Sequence, residues 1–383
     1  MPDQDPRLAA LPTPALLVDE VRFVRNVARL AERATGLGVA LRPHLKTLKS
    51  VELARRVLPG GDGPATVSTL AEAEAFAAAG FRDLVYAVGI APAKLDRVVA
   101  IRAGGCDLVV LLDSEAQARA VVRASRRHGA PLPACIEVDC DGHRGGLDPE
   151  ADELVAVGRI LDEGAELRGV LTHAGGSYGV VGADAHAAFA EQERAAAVRA
   201  AERLRAAGLA CPVVSVGSSP TAHAAHDLTG VTELRAGVYA FFDLVQVGLG
   251  VCAVDDVALS TLCTVIGHQR DKGWALVDAG WTALSRDRGT ASQAVDQGHG
   301  LVCDVDGMPL AGGDLVVVDV NQEHGVVALR PGSAATLPDL PIGTLLRVLP
   351  NHACAMAERF DRYHLLPGDD GAPLVELERL RGW

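Results

Sequence analysis

The chain has 383 residues, 49% of them hydrophobic and 22% charged, enough for a large core divided between two domains. Its formal net charge of −13 argues against the cationic face that non-specific nucleic-acid or membrane-surface binding needs. No run approaches the roughly 18 apolar residues of a membrane helix, and the opening "MPDQDPRLAALPTP" lacks the basic start and apolar core of a secretory leader.

From residue 15 to about 240, apolar runs alternate with helix-like segments. The runs are "LLVD" (16–19), "VALRPH" (39–44), "ATVSTL" (65–70), "DLVYAV" (83–88) and "DLVVLL" (107–112), then "ACIEVD" (134–139), "LRGVLTH" (167–173), "PVVSVG" (212–217) and "TELRAG" (232–237). Alanine-rich stretches such as 114–128 and 185–207 have helical periodicity. Near-continuous apolar strands alternating with helices predict a parallel sheet buried on both faces. Eight or nine such units in this length fit a TIM-like (β/α)8 barrel better than an open sheet. After residue 245 the rhythm changes. "LSTLCTVIGH", "WALVDAG", "DLVVVDV", "GVVALRPG" and "TLLRVLPNHACA" predict an all-β domain, with residues 285–300 as a polar, functional loop. The eight cysteines include no C-x-x-C pair and read as reduced thiols, six or seven of them buried.

In such a barrel, catalytic side chains stand where strands end. Those positions hold His44 and Lys46, then Asp139, His143 and Arg144, then His173 and Tyr178, then Gly217, Ser218 and Ser219, and last Gly237 and Tyr239. Polar groups thus gather at the mouth, and the strand interiors read as apolar. A lone rim lysine is ordinarily solvated. Lys46 sits at a strand end with His44, Arg42 and Lys49 as neighbours able to lower its pKa. The loop "SVGSSPT" (215–221) offers backbone N–H groups and hydroxyls to a phosphate, and "GVY" (237–239) completes the cup. A reactive lysine with a phosphate cup points to pyridoxal 5′-phosphate, whose aldehyde condenses with an amine.

Near the C-terminus, His352 and Cys354 stand two apart in "PNHACA". On an extended segment both would face one way and reach one divalent metal ion. Two protein ligands leave open positions for substrate and water. A thiolate with an imidazole favours zinc, ahead of manganese or magnesium. A buried thiol beside an interface histidine is the alternative.

With these residues in view, the chain resembles the D-threonine aldolase and D-serine dehydratase family, pyridoxal-phosphate enzymes with an alanine racemase-type barrel, from "TPALLVD" (13–19) to "FDRYHLL" (360–366). "RPHLKTLK" is similar to the family's cofactor-lysine segment, with Leu48 where the family has histidine. "EVDCDGHRGGL" implies that Arg144 contacts the cofactor's phenolic oxygen. "THAGGSY" looks like the family's T-H-A-G-H-S-Y with Gly176 replacing histidine. "VGSSPT" and "ELRAGVYAFFD" match phosphate-binding segments, with Val238 where asparagine is common. "LPNHACA" resembles the metal-binding segment, and Cys354 tilts the resemblance towards the dehydratase branch.

The resemblance implies a barrel domain over 21–244 and a β-domain over 245–383 carrying the metal ligands, joined by an N-terminal strand from 1–20. It also implies a cytoplasmic homodimer acting on a small D-amino acid. Dehydration of a D-3-hydroxy amino acid to a 2-oxo acid and ammonia is the first expectation, and retro-aldol cleavage to glycine and an aldehyde is the second. Racemisation, or a regulatory pyridoxal-phosphate carrier, would leave the metal pair without a role. Lys46 would exchange the Cα proton, and His173 or Tyr178 would act in acid–base steps or pack against the cofactor ring.

Overall fold

A computed structural model describes residues 5–369 and 371–383. It divides into two units, Ala28–Gly237 with Leu380–Trp383, and Met1–Val27 with Val238–Arg379. The strands in chain order are Ala15–Asp19 (β1), Ala40–Leu41 (β2), Ala65–Val67 (β3), Asp83–Gly89 (β4), Asp107–Leu112 (β5), Pro133–Val138 (β6), Glu166–Thr172 (β7), Val213–Val216 (β8) and Glu233–Leu234 (β9). Then follow Leu259–Gln269 (β10), Trp274–Val277 (β11), Leu301–Cys303 (β12), Leu315–Val320 (β13), Gly325–Leu329 (β14), Leu345–Leu349 (β15), Arg362–Leu366 (β16) and Val375–Glu378 (β17).

The first unit is an α/β barrel. Strands β2 to β9 form one parallel sheet in the order β2-β9-β8-β7-β6-β5-β4-β3. Just past β2 a parallel bridge joins His44 to Thr66. There Thr66 N–H donates to Pro43 O and Leu45 N–H to Thr66 O, at 2.9 and 2.8 Å, closing the ring. Pro43 has no N–H to give, which is why β2 stops short of the 39–44 run. Strand β5 is buried from Leu108 through Leu112, as a parallel strand covered on both faces must be. The helix that follows, Glu115–His128, starts at Ser114, whose side chain caps Gln117 N–H, and stops at the left-handed Gly129.

The barrel interior departs from the apolar expectation. Arg42 bridges Glu233 on β9 and Asp83 at the start of β4, both at 2.7 Å. Buried Arg235 donates to Ser215 Oγ at 2.5 Å, and Ser215 Oγ donates to Glu233 at 2.6 Å. A paired guanidinium with satisfied hydrogen bonds survives burial where a lone charge does not. Alternating apolar runs do not reveal such pairs, because their members lie on distant strands.

The second unit is built on one sheet in the order β11-β14-β13-β12-β15-β10-β1-β16-β17, with a further β10–β11 pairing that closes six of these strands into an antiparallel barrel. Strand β1 runs antiparallel to β10 and parallel to β16. Six of the eight cysteines are buried, and none of the eight is in a disulfide. No helix among the described residues is long and apolar enough to cross a membrane.

Candidate active site

In the α/β barrel all strands run parallel, so the loops leaving their C-terminal ends gather on one side. His44, Arg144, His173, Gly217 and Gly237 all follow strand ends there, as does Lys46, whose side chain is exposed. His44 Nδ1 accepts the Lys46 backbone N–H at 3.3 Å, so its remaining nitrogen Nε2 carries the proton of the neutral ring. Burial, then the charges of Lys46, Arg235 and His173, hold His44 well below its usual pKa. His173 Nδ1 lies 3.0 Å from Gly217 O. A carbonyl only accepts, so Nδ1 carries the proton and Nε2 offers a lone pair. Burial pushes His173 down to about 4, reinforced by the charges of Lys46 and Arg144 and opposed by the Gly217 bond. Both histidines are therefore neutral at pH 7, beside Lys46.

The cations expected to act on Lys46 are compensated. Arg42 is ion-paired, and buried Lys49 lies 3.7 Å from Glu72. Arg144 is exposed and 3.7 Å from Glu137. The exposed Tyr178 ring lies 6.4 Å from that of His173.

The 215–221 loop has the form of an anion cradle. Gly217 sits at φ +140, and a Cβ there would stand 1.9 Å from Arg235 O. Only glycine allows this approach. Ser218 caps the helix Ser219–Ala224, and its Oγ lies 3.0 Å from Ser177 Oγ. Among the described residues the buried Ser219 Oγ has no hydrogen-bond partner, an orphan that an incoming phosphate oxygen would satisfy. A Cβ at Gly237 would meet His44 O at 3.2 Å, so this glycine lets its loop close against the Lys46 segment. These features fit pyridoxal phosphate. Val238 and Tyr239 lie in the second unit, in the turn Val238–Ala240, both buried; among the described residues the Tyr239 hydroxyl has no hydrogen-bond partner, and burial raises its pKa.

Glu193 was not among the sequence candidates. Fully buried in helix Ala183–Ala206, its Oε1 accepts the N–H groups of Ala174 and Gly217, both at 2.9 Å, and its Oε2 accepts the Thr221 hydroxyl at 2.8 Å. Gly217 N–H is thus committed to Glu193, and the glycine contributes shape to the cradle. Burial raises the Glu193 pKa against the pull of those three donors. The available signal was an acid on the buried stripe His186, Ala190, Glu193, Ala197, Ala200, where helical spacing calls for an apolar residue.

In the second unit, His352 and Cys354 do come together, though not on a strand. His352 is the extended residue before the short helix Ala353–Ala357, with Cys354 inside it. The start of this helix is fixed from afar, by Asp243 Oδ2 accepting Ala353 N–H at 3.0 Å. Asp287 Oδ2 lies 3.6 Å from His352 Nδ1. Hydrogen bonds to Asp287 and then Cys354 raise His352 to about 11, and the same bond lowers Asp287. Burial raises Asp243 to about 6. A carboxylate beside Nδ1 and a thiol in contact with the imidazole make a donor set that suits a two-ligand site for a divalent metal ion. Among the described residues, no group of three or more His, Cys, Asp or Glu side chains is arranged to hold a metal.

Comparison with known proteins agrees with this architecture. The model for the alanine racemase N-terminal domain matches residues 18–245, and a serine dehydratase domain model matches residues 258–366. The chain is 52% identical over 380 residues to D-threo-3-hydroxyaspartate dehydratase of Delftia sp. (strain HT23), covering 98% of this chain and 99% of that one. This chain belongs to the D-threonine aldolase and D-serine dehydratase family. Within it, D-serine dehydratase of Dictyostelium discoideum is 28% identical, covering 94% of each chain. D-threonine aldolase of Arthrobacter sp is 29% identical, covering 90% of this chain and 86% of that one. These family members are dehydratases and aldolases, hence lyases. A solved structure of a cysteine-to-alanine mutant of D-threo-3-hydroxyaspartate dehydratase in the metal-free form superposes with a TM-score of 0.95 at 51% identity, covering 98% of this chain and 100% of that one.

Proposed function

We propose that the protein is a lyase that eliminates water from a D-3-hydroxy amino acid, giving a 2-oxo acid and ammonia. In this reading pyridoxal 5′-phosphate is held at Lys46 and a divalent ion at His352 and Cys354. The observation that carries it is the contact between the His352 and Cys354 side chains, with Asp287 Oδ2 3.6 Å from Nδ1 of the same imidazole. A metal-free form described for a cysteine mutant of a 51%-identical dehydratase supports the same pair. The thiol–imidazole donors favour zinc over manganese or magnesium. The cysteines, mostly buried and outside any disulfide, support a cytoplasmic location, and the family resemblance supports a homodimer.

When bound, the cofactor supplies a sink for the electron pair left on Cα, and the ion supplies Lewis acidity at the β-oxygen. Lys46 Nζ would hold the cofactor, and its amine would be the group placed to take the Cα proton. Ser219 Oγ and the Gly217 turn would receive the phosphate, with Ser218 and Gly237 shaping the cup. Arg144 would contact the ring oxygen. The neutral His44 and His173 keep positive charge off the ring's surroundings, and His173 Nε2 and the Tyr178 hydroxyl are the groups offered for proton transfer.

Product analysis tests the reading. Purified protein should carry the visible absorbance of lysine-bound pyridoxal phosphate, lose it in Lys46→Ala, and convert a D-3-hydroxy amino acid to a 2-oxo acid and ammonia. Glycine and an aldehyde in their place would assign the aldolase reaction.

A further inference from the structure

Asn351 stands directly before His352, and its side chain anchors the polar loop 285–300. The residue is buried, 3% exposed. Its Nδ2 donates to Asp287 O at 2.9 Å and to Gly298 O at 2.7 Å, and its Oδ1 accepts the Thr290 hydroxyl at 2.9 Å. Both N–H groups of the amide are thereby used, and its oxygen is occupied. Thr290 Oγ1 in turn accepts Gln297 N–H at 3.1 Å. One buried amide therefore ties the loop at Asp287, at Gly298 and, through Thr290, in between.

The carboxylate at the head of this loop has little freedom left. Asp287 N–H donates to Ser285 Oγ at 3.1 Å, its carbonyl accepts from Asn351, and its Oδ1 accepts Gly289 N–H at 2.8 Å. What remains is Oδ2, the oxygen 3.6 Å from His352 Nδ1. The main chain fixes the imidazole from the same residue. Asn351 O accepts Val245 N–H at 3.2 Å, and just beyond His352 the Ala353 N–H donates to Asp243 Oδ2 at 3.0 Å. Asn351 thus carries His352 on its backbone and Asp287 on its side chain.

We infer that Asn351 is a positioning residue for the ion-binding pair, one that sets the separation of Asp287 from His352 and through it the affinity for the divalent ion. This rests on the reading that His352 and Cys354 hold that ion. A carboxylate behind an imidazole strengthens the ligand by holding its tautomer and ring angle, so its own placement matters. With the amide gone, the Asp287 and Gly298 carbonyls need other donors. The loop shifts to find them, and Asp287 shifts with it.

The test is zinc binding to the cofactor-loaded, metal-depleted enzyme, read by competition with a chromophoric chelator. The proteins are wild type, Asn351→Ala, Thr290→Val, Asp287→Asn and the Asn351→Ala/Asp287→Asn double variant. Zinc affinity should fall by roughly tenfold or more in Asn351→Ala, and in the same direction in Thr290→Val. Because Asn351 acts through Asp287, the double variant should bind about as weakly as the weaker of its two single variants. Losses that multiply in the double variant overturn the inference and make Asn351 a general support of the loop. Wild-type affinity in both Asn351→Ala and Thr290→Val overturns it as well. Should circular dichroism show Asn351→Ala unfolded, Thr290→Val combined with Asp287→Asn completes the same cycle with the same two outcomes. A wild type that binds no zinc removes the metal reading itself, and this inference with it.

Discussion

Asp287 Oδ2 lies 3.6 Å from Nδ1 of His352, so the imidazole that pairs with Cys354 is oriented from behind by a carboxylate supplied by a separate loop. Such partners fix tautomer and ring angle and raise ligand basicity. Replacing Asp287 by Asn should therefore weaken zinc binding by about 10–100-fold while leaving the cofactor absorbance intact. Competition with a chromophoric chelator measures it, and an unchanged zinc affinity would remove Asp287 from the site.

Glu193 joins the loops after β7 and β8 through three accepted hydrogen bonds. Glu193→Ala leaves the Ala174 and Gly217 N–H groups buried and unpaired, at a cost of about 1–3 kcal/mol each. Urea unfolding should read that loss, and fluorimetric titration should show weaker pyridoxal phosphate binding. Glu193→Gln, which keeps one acceptor oxygen, should recover much of both. Equal stability of wild type and Glu193→Ala would mean that the clasp carries no energy.

Gly217→Ala should be among the most damaging single-methyl changes in the barrel. Its Cβ would stand 1.9 Å from Arg235 O at a φ of +140, combining a backbone clash with a conformation that side chains avoid. A loss of about 3 kcal/mol or more is expected in urea unfolding, together with loss of cofactor binding. The neighbouring Ser219→Ala removes only an unpartnered hydroxyl, and should keep stability while weakening the cofactor.

The pH dependence of folding should carry the mark of the two neutral histidines. His173 titrates at about 4 in the folded chain against 6.5 for its ordinary value, and His44 is also depressed. Between those values the unfolded chain binds more protons, so stability is complete above about pH 6.5 and falls as pH drops towards 4. Urea midpoints at pH 7.5 and 5 should differ less in His173→Asn than in wild type. An identical difference would show that His173 is not held neutral by burial.

Much of this was legible in sequence because the signals were local. Continuous apolar strands such as β5 and their capped helices announce a parallel barrel, and hydroxyls after a strand-ending glycine mark the loop to which the proposed cofactor site is assigned. What sequence concealed was fixed over long separations. Arg42 pairs with Glu233 across 191 residues, so the barrel's charged interior looked apolar. The helix at Ala353 is begun by Asp243, 110 residues away, so His352 and Cys354 read as strand neighbours. Asp287 stood within the polar loop already marked as functional, but nothing in that loop says which of its acids would reach His352.

The central claim is that one protein-held ion and one lysine-held cofactor act on the same substrate. The most direct measurement treats the holoenzyme with a chelator and follows 2-oxo acid formation from a D-3-hydroxy amino acid alongside the cofactor's visible band. Product formation should stop while the band persists, and return on adding zinc. Undiminished 2-oxo acid formation in the chelated enzyme, with no zinc remaining by elemental analysis, would contradict the account.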